Sequence, residues 1–427
     1  MSQPRQVPRR RWRIAWLLGF GVLVNYFDRV NLSVSQGALH DTFGISTVTF
    51  GYLLSAYSWT YALLQLPSGV LLDRFGVRRV GRVSTILWSV ASFAAAISTG
   101  IGAFFASRLL LGIGEAPTFP GNAKATGYWF PQQERSLATA IFDAASKFSS
   151  AIGVPLIGIL LLHFGWRWSF AATGFISLLY FVLFYALYRN PSEDALLTPA
   201  EREFIQQGGA QPEDRASTAR GAPLAYLLAQ REVCGLALGF ASYNYSFYLL
   251  LTWLPSYLSA ALHFDLFHSV LYTSVPWLFA TFTDLFVGGW LVDALIQKGW
   301  NPTRVRQFVL IGGTALGLGI FGAAHAHSPV TALFWISLSL GGLSAAAPVG
   351  WSIPSLIAPR ESVGRVGGIL NFCNQLSAIA APILTGYIVQ GTHSFSGAFV
   401  AAAVFLVLGI VGYIFLLGNM RPVPEPS

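Results

Sequence analysis

Gly69-Val70-Leu71-Leu72-Asp73-Arg74-Phe75-Gly76-Val77-Arg78-Arg79 ends a long apolar run on a carboxylate and a basic cluster. At an offset of 220, Gly289-Trp290-Leu291-Val292-Asp293 repeats its Gly-x-Leu-x-Asp frame, with Lys298, Arg304 and Arg306 following. Outward from either copy the chain is apolar. Stretches of about 20 residues, the length an α-helix needs to cross roughly 30 Å of hydrocarbon, recur from end to end. Of 427 residues, 54% are hydrophobic and 10% are Asp, Glu, Lys or Arg. A soluble globular chain carries about 25% charge, so most of this one cannot face water.

The pattern predicts an all-α membrane protein with twelve spans, at 14–38, 48–72, 80–99, 102–126, 136–162, 168–188, 231–259, 269–296, 306–325, 330–356, 363–390 and 394–418. One polar stretch, 189–230, interrupts the short connections and divides the chain into six-helix bundles at 1–188 and 231–427. Within it, Thr198 capping and Pro199 in the first turn predict a short surface helix to Gln207. A second echo supports two related halves: Ser150-Ala151-Ile152 with Pro155 matches Ser377-Ala378-Ile379 with Pro382 at an offset of 227. Both echoes pair helices of the same orientation, as in parallel repeats about an axis along the membrane normal. Such designs rock one half against the other around a midplane site.

With the N-terminus inside, 22 of the 26 Lys and Arg residues fall in cytoplasmic segments and only Arg167 lies outside. This asymmetry places both termini in the cytoplasm of a multi-pass cell (inner) membrane protein. It also explains the net charge of +8 without nucleic acid. Cys234 and Cys373 lie far apart in apolar runs and suggest neither a disulfide framework nor a metal cluster. The basic N-terminus leads into an apolar run with no small-residue cleavage site, which reads as a retained first helix.

Gly69-x-Leu71-x-Asp73-Arg74-x-Gly76-x-Arg78-Arg79 resembles the signature loop of the major facilitator superfamily. Three further segments resemble its anion:cation symporter family, which includes bacterial sugar-acid carriers of the galactonate and hexuronate type. They are Asn25-Tyr26-Phe27-Asp28-Arg29-Val30-Asn31-Leu32-Ser33, Arg108-x6-Glu115-Ala116-Pro117-x2-Pro120 running on to Trp129-Phe130-Pro131, and Leu197-Thr198-Pro199-Ala200-Glu201-Arg202-Glu203. The resemblance implies two pseudo-symmetric bundles, alternating access, and uptake of a small organic anion such as an aldonate, hexuronate or aldarate by proton symport. No cofactor or metal is implied, and a monomer is the expected working unit. An organic-anion exchanger, or a carrier of aromatic or dicarboxylic acids, is the alternative. No phosphate loop, metal-ligand spacing or nucleophile–base grouping favours an enzyme.

Seven ionisable residues fall within the spans: Asp28, Arg29, Arg108, Glu115, Asp143, Lys147 and Asp284. Unpaired near a helix centre, each costs roughly 2.5–3.5 kcal/mol. They must therefore face one another, water or a ligand. Arg108 and Glu115, seven apart, share one helix face about 10.5 Å apart along the axis. They read either as packing polarity or as a substrate-binding guanidinium fork beside a protonation site, since a buried carboxylate is costly to keep charged. Adjacent Asp28 and Arg29 point about 100° apart and are not expected to pair with each other. By resemblance, Asp28 is a proton-coupling carboxylate whose proton affinity and release Arg29 governs. Two titrating carboxylates let two protons accompany one monoanion, and the net charge imported gains roughly 2.3 kcal/mol per 100 mV.

Asp143 and Lys147, spaced i,i+4, read as a self-neutralised pair, or else Lys147 is a second positive contact to the substrate. Many relatives carry a neutral amide near this position. Asp284 lacks a basic neighbour in its half and is a candidate partner of Lys147 or Arg29 across the interface. The resemblance places Tyr26, Tyr61, Trp351 and Asn371 on the central cavity, and more loosely Asn244. Gly69, Asp73, Arg74 and Asp293 read as a gate: Gly69 permits close helix approach, while Asp73 pairs with basic loop residues or caps a helix. The seven histidines scatter over outer helix ends and suit no metal site.

Overall fold

The computed structural model describes residues 8–131, 134–213, 222–262, 266–326, 328–359 and 362–425, and these contain helices and no strands. Leu137–Leu187, Pro302–Ala324 and Ser396–Leu417 are among the stretches long and apolar enough to cross a bilayer. Large apolar side chains lie bare on the outside, including Leu63, Phe308, Val330 and Phe415, each at least 71% exposed. That inside-out surface suits a hydrocarbon solvent.

Twelve spans are traceable among the described residues. Arg10–Val34 forms the first and continues as a short helix, Gln36–Phe43. Ser46 caps a 50-residue helix, Thr47–Ala96, broken at Gly76 (φ 76°, ψ 160°) into spans two and three. Arg135–Leu187 breaks likewise at Gly165 (φ 79°) into spans five and six. At both points only a residue without a Cβ adopts the backbone cheaply, so the chain reverses with almost no loop. Span four departs from the continuous helix expected. It runs Ile101–Glu115, pauses at Ala116-Pro117, and resumes as Thr118–Trp129. Pro117 has no N–H to continue the ladder, and the pause follows Glu115 directly.

The second half runs Arg231–Leu262, Leu266–Thr283 with its extension to Gln297, Pro302–Gly317 with Gly319–Ala324, Pro329–Ser352, Val363–Thr392 and Ser396–Val411. In span eight, Asp284–Leu291 is wound as a π-helix.

The linker helix, Pro199–Gln207, has Thr198 accepting from the Glu201 N–H, as expected. It is docked, not free on the surface. Glu201 is fully buried and pairs with Arg11 at 2.9 Å, Arg11 also holds Glu134 at 2.7 Å, and Arg10 holds Asp194 at 2.8 Å. These contacts fasten residues 190–210 under the first bundle, on what we call the terminal face.

The halves meet towards the opposite, far face. Ser33 donates to the Thr252 carbonyl at 2.7 Å, the Val48 N–H to Gln390 at 3.0 Å, and the Tyr52 and Tyr387 hydroxyls meet at 3.2 Å. Gly51 lets span two press on span eleven, where an added Cβ would stand 2.7 Å from the Pro382 carbonyl oxygen. The seam continues inward to Asn371, whose amide donates to Gln65 at 2.8 Å.

Candidate functional site

The first bundle buries its charges at the level where span four pauses. Arg29 reaches from span one to Glu115 with Nε and Nη2, both 3.1 Å from Oε2. Its Nη2 also donates to Asn25 Oδ1 at 2.6 Å, and Nη1 to the Tyr248 hydroxyl of the other half at 3.4 Å. The guanidinium lies over the rings of Tyr26 (4.3 Å), Tyr57 (4.5 Å) and Tyr61 (5.6 Å). Tyrosine faces stabilise a desolvated cation, and the ion pair with a fully buried Glu115 neutralises it. Three buried polar atoms around Arg29 are unpartnered among the described residues: Glu115 Oε1, Asn25 Nδ2 and the Tyr57 hydroxyl. Such atoms carry a desolvation cost unless water or a ligand meets them.

Asp28 faces away from this group. Ser92 donates to its Oδ1 at 2.6 Å and Ser177 to its Oδ2 at 3.0 Å, from spans three and six. Arg108 donates from Nη1 to the main-chain oxygen of Asp28 at 3.2 Å, with Nε unpartnered. The sequence spacing put Arg108 and Glu115 on one helix face, about 10.5 Å apart along the axis. The ion-pair partner of Glu115 is Arg29 of span one, a neighbour that spacing within one helix does not fix. As their separation of about 100° led us to expect, Arg29 does not pair with the adjacent Asp28 carboxylate. Arg108 is 3% exposed, against 8% for Arg29.

A second cluster bridges the bundles. Lys147 Nζ lies 2.8 Å from Asp143 and 2.7 Å from Asp284 of span eight. Both expected partners of this lysine, Asp143 four residues before it and the carboxylate across the interface, are therefore in place.

The sequence profile of the Major Facilitator Superfamily matches residues 18–382, and again 303–427. The chain belongs to the major facilitator superfamily. Members of this superfamily are transporters and not enzymes, and its helical bundles account for the fold. An uncharacterized transporter of Bacillus subtilis is 40% identical over 99% of this chain and 98% of its own length. A D-galactonate transporter of Escherichia coli is 30% identical over 97% of both chains. A probable galactarate/D-glucarate transporter of Escherichia coli is 32% identical, covering 96% of this chain and 95% of its own. Among solved structures, a bacterial homolog of the human lysosomal transporter Spinster superposes with a TM-score of 0.76 at 17% identity, covering both chains completely. A D-xylose–proton symporter superposes at 0.74 and 18%, over 97% of this chain and 98% of its own.

In the signature loop, a Cβ on Gly69 would meet nothing within 4 Å with the halves joined at the far face, and Gly76 has the positive φ that the backbone break requires. Asp73 pairs with Lys124 at the end of span four, Arg78 with Glu193, and Arg74 lies 5.3 Å from the Phe75 ring. Asp293, its echo, is exposed. Of the other expected site residues, Tyr26 and Tyr61 are buried around Arg29, and Asn244 donates to the Asn374 carbonyl at 2.5 Å. Trp351 is 43% exposed, with its ring edge-on to Phe240 at 5.0 Å. His263 and His327 lie outside the described residues. A crevice of about 590 Å³ opens at the far face beside Thr47, Tyr257 and His393, remote from these charges.

Sequence reading did not single out Asn25, Tyr57, Ser92 or Ser177. Asn25 was findable, four residues before Arg29 on one helix face. The two serines belong to other helices and leave no such trace.

Proposed function

We propose that this chain carries a sugar acid across the membrane with protons, by opening its central site alternately to either face. The observation that supports this most is Arg29: a buried guanidinium on three tyrosine faces, neutralised by a carboxylate with a spare unpartnered oxygen. A substrate carboxylate takes the Arg29 fork once a proton on Glu115 releases it, so that charge in the site stays balanced. Arg108, with its free Nε, is the second positive contact, and Asp28 between two serine hydroxyls is a second proton carrier. Hydroxylated carbon meets the Tyr26 and Tyr61 rings on one side and Asn244, Trp351 and Asn371 on the other. The named galactonate and galactarate/D-glucarate carriers among the relatives agree with this substrate class.

The same proposal sets both termini in the cytoplasm, a bundle at 1–188, a linker at 189–230, a bundle at 231–427, and a working monomer in the cell membrane. Gly69, Asp73, Arg74 and Asp293 take part in closing the terminal face, where Asp73 already pairs with Lys124. The test is thermal stabilisation of purified protein by D-galactonate, D-glucarate, hexuronates and phthalate. Stabilisation by sugar acids and loss of it in Arg29→Ala and Arg108→Ala are expected. Stabilisation by phthalate alone, or by none, contradicts the substrate class.

A further inference from the structure

Glu115 and Asp28 each have a guanidinium close by. Lys147, by contrast, is shared by two carboxylates, so this cluster holds one negative charge more than it holds positive. Asp284 is 2% exposed and starts the π-helical stretch of span eight, a winding that recurs where helices adjust for function. Four residues on, Gly288 presses span eight on span ten, where a Cβ would stand 2.5 Å from the Ala345 carbonyl oxygen. The groups facing Asp284 are Lys147 and Asp143 from span five and, further off, the buried Tyr243 of span seven. Span ten, Pro329–Ser352, contains no ionisable side chain. Asp143 and Lys147 share one helix and move together, whereas Asp284 belongs to the other half.

We propose that Asp284 is a further proton-carrying site, loaded each time the halves part at the far face. This rests on the alternating-access reading above. Parting withdraws span eight from span five and takes the Lys147 cation away from the Asp284 carboxylate. An O–H bond then forms there with a proton from solution on that face. On closure the O–H bond breaks, the Lys147 ammonium takes the proton's place, and the proton leaves towards the terminal face. Lys147 is then an internal counter-ion and positions Asp284; it does not contact substrate.

The test needs no substrate. With Cys234 and Cys373 replaced by serine, spin labels at His40 and Thr392, both exposed at the far face of opposite halves, report opening as a function of pH. Acid is expected to favour the open form. In Asp284→Asn the open-to-closed ratio should change tenfold less per pH unit, the loss of one linked proton. Lys147→Gln should show the same loss, because Asp284 then stays protonated in both states. If either single variant fails to fold, Lys147→Gln with Asp284→Asn removes both charges at similar volume and should give the same reduced slope. A wild-type slope in any of the three overturns the proposal. Because the readout is distance, failure of the sugar-acid reading shows separately, as absence of stabilisation by every sugar acid.

Discussion

Replacing Glu115 with glutamine removes the counter-ion of Arg29 and keeps the shape of the site. The guanidinium then retains Asn25 Oδ1, the Tyr248 hydroxyl and three aromatic faces, none of them an anion. Stranding one member of a buried pair costs about 3–5 kcal/mol. A substrate carboxylate restores a counter-ion, and if about 2 kcal/mol of that cost returns on binding, affinity rises about 30-fold. The sign of the pH effect follows from the same pair. In the native protein protonation of Glu115 frees Arg29, so binding tightens as pH falls, by about tenfold per unit for one linked proton. In Glu115→Gln that slope should flatten, uphill uptake should be lost, and exchange should persist in part. Isothermal titration of D-galactonate at two pH values, in the native protein and the variant, measures all but the transport terms. An unchanged slope in the variant would refute the role given to Glu115.

Arg29→Lys replaces a fork lying over three rings with a point charge and should weaken sugar-acid binding about 10- to 100-fold, read by the same titration. Gly51→Val places side-chain carbon against the Pro382 carbonyl, and overpacking of about 1–3 kcal/mol should disfavour far-face closure by about 5- to 150-fold. Faster modification of a cysteine introduced at Thr252 by an impermeant thiol reagent would show it; an unchanged rate would count against the close approach. Arg11→Ala leaves fully buried Glu201 without its cation and should cost about 3–5 kcal/mol, seen as a lower thermal midpoint that Arg11→Lys partly recovers.

Much of the architecture was legible because a bilayer permits few solutions: apolar length fixes the spans, and an even number of them returns the chain to its starting face. Thr198 and Pro199 announced the linker helix, and the spacing of Asp143 and Lys147 announced their pair. Pairings between helices were not legible. Helical spacing gives the face of Arg108 and Glu115, yet nothing in that spacing says that span one supplies Arg29 to Glu115 and a backbone carbonyl to Arg108. Gly69 and Gly76 look alike in a motif, and only the backbone separates them. The docked state of Glu201 was hidden for the same reason, its partners lying some 190 residues away.

The most direct measurement is uptake of radiolabelled D-galactonate into proteoliposomes under an imposed gradient, acid outside, with and without a protonophore. Accumulation above equilibrium that the protonophore abolishes, and that Arg29→Ala lacks, is the expected result. Accumulation indifferent to the protonophore and driven only by anion loaded inside would contradict proton coupling.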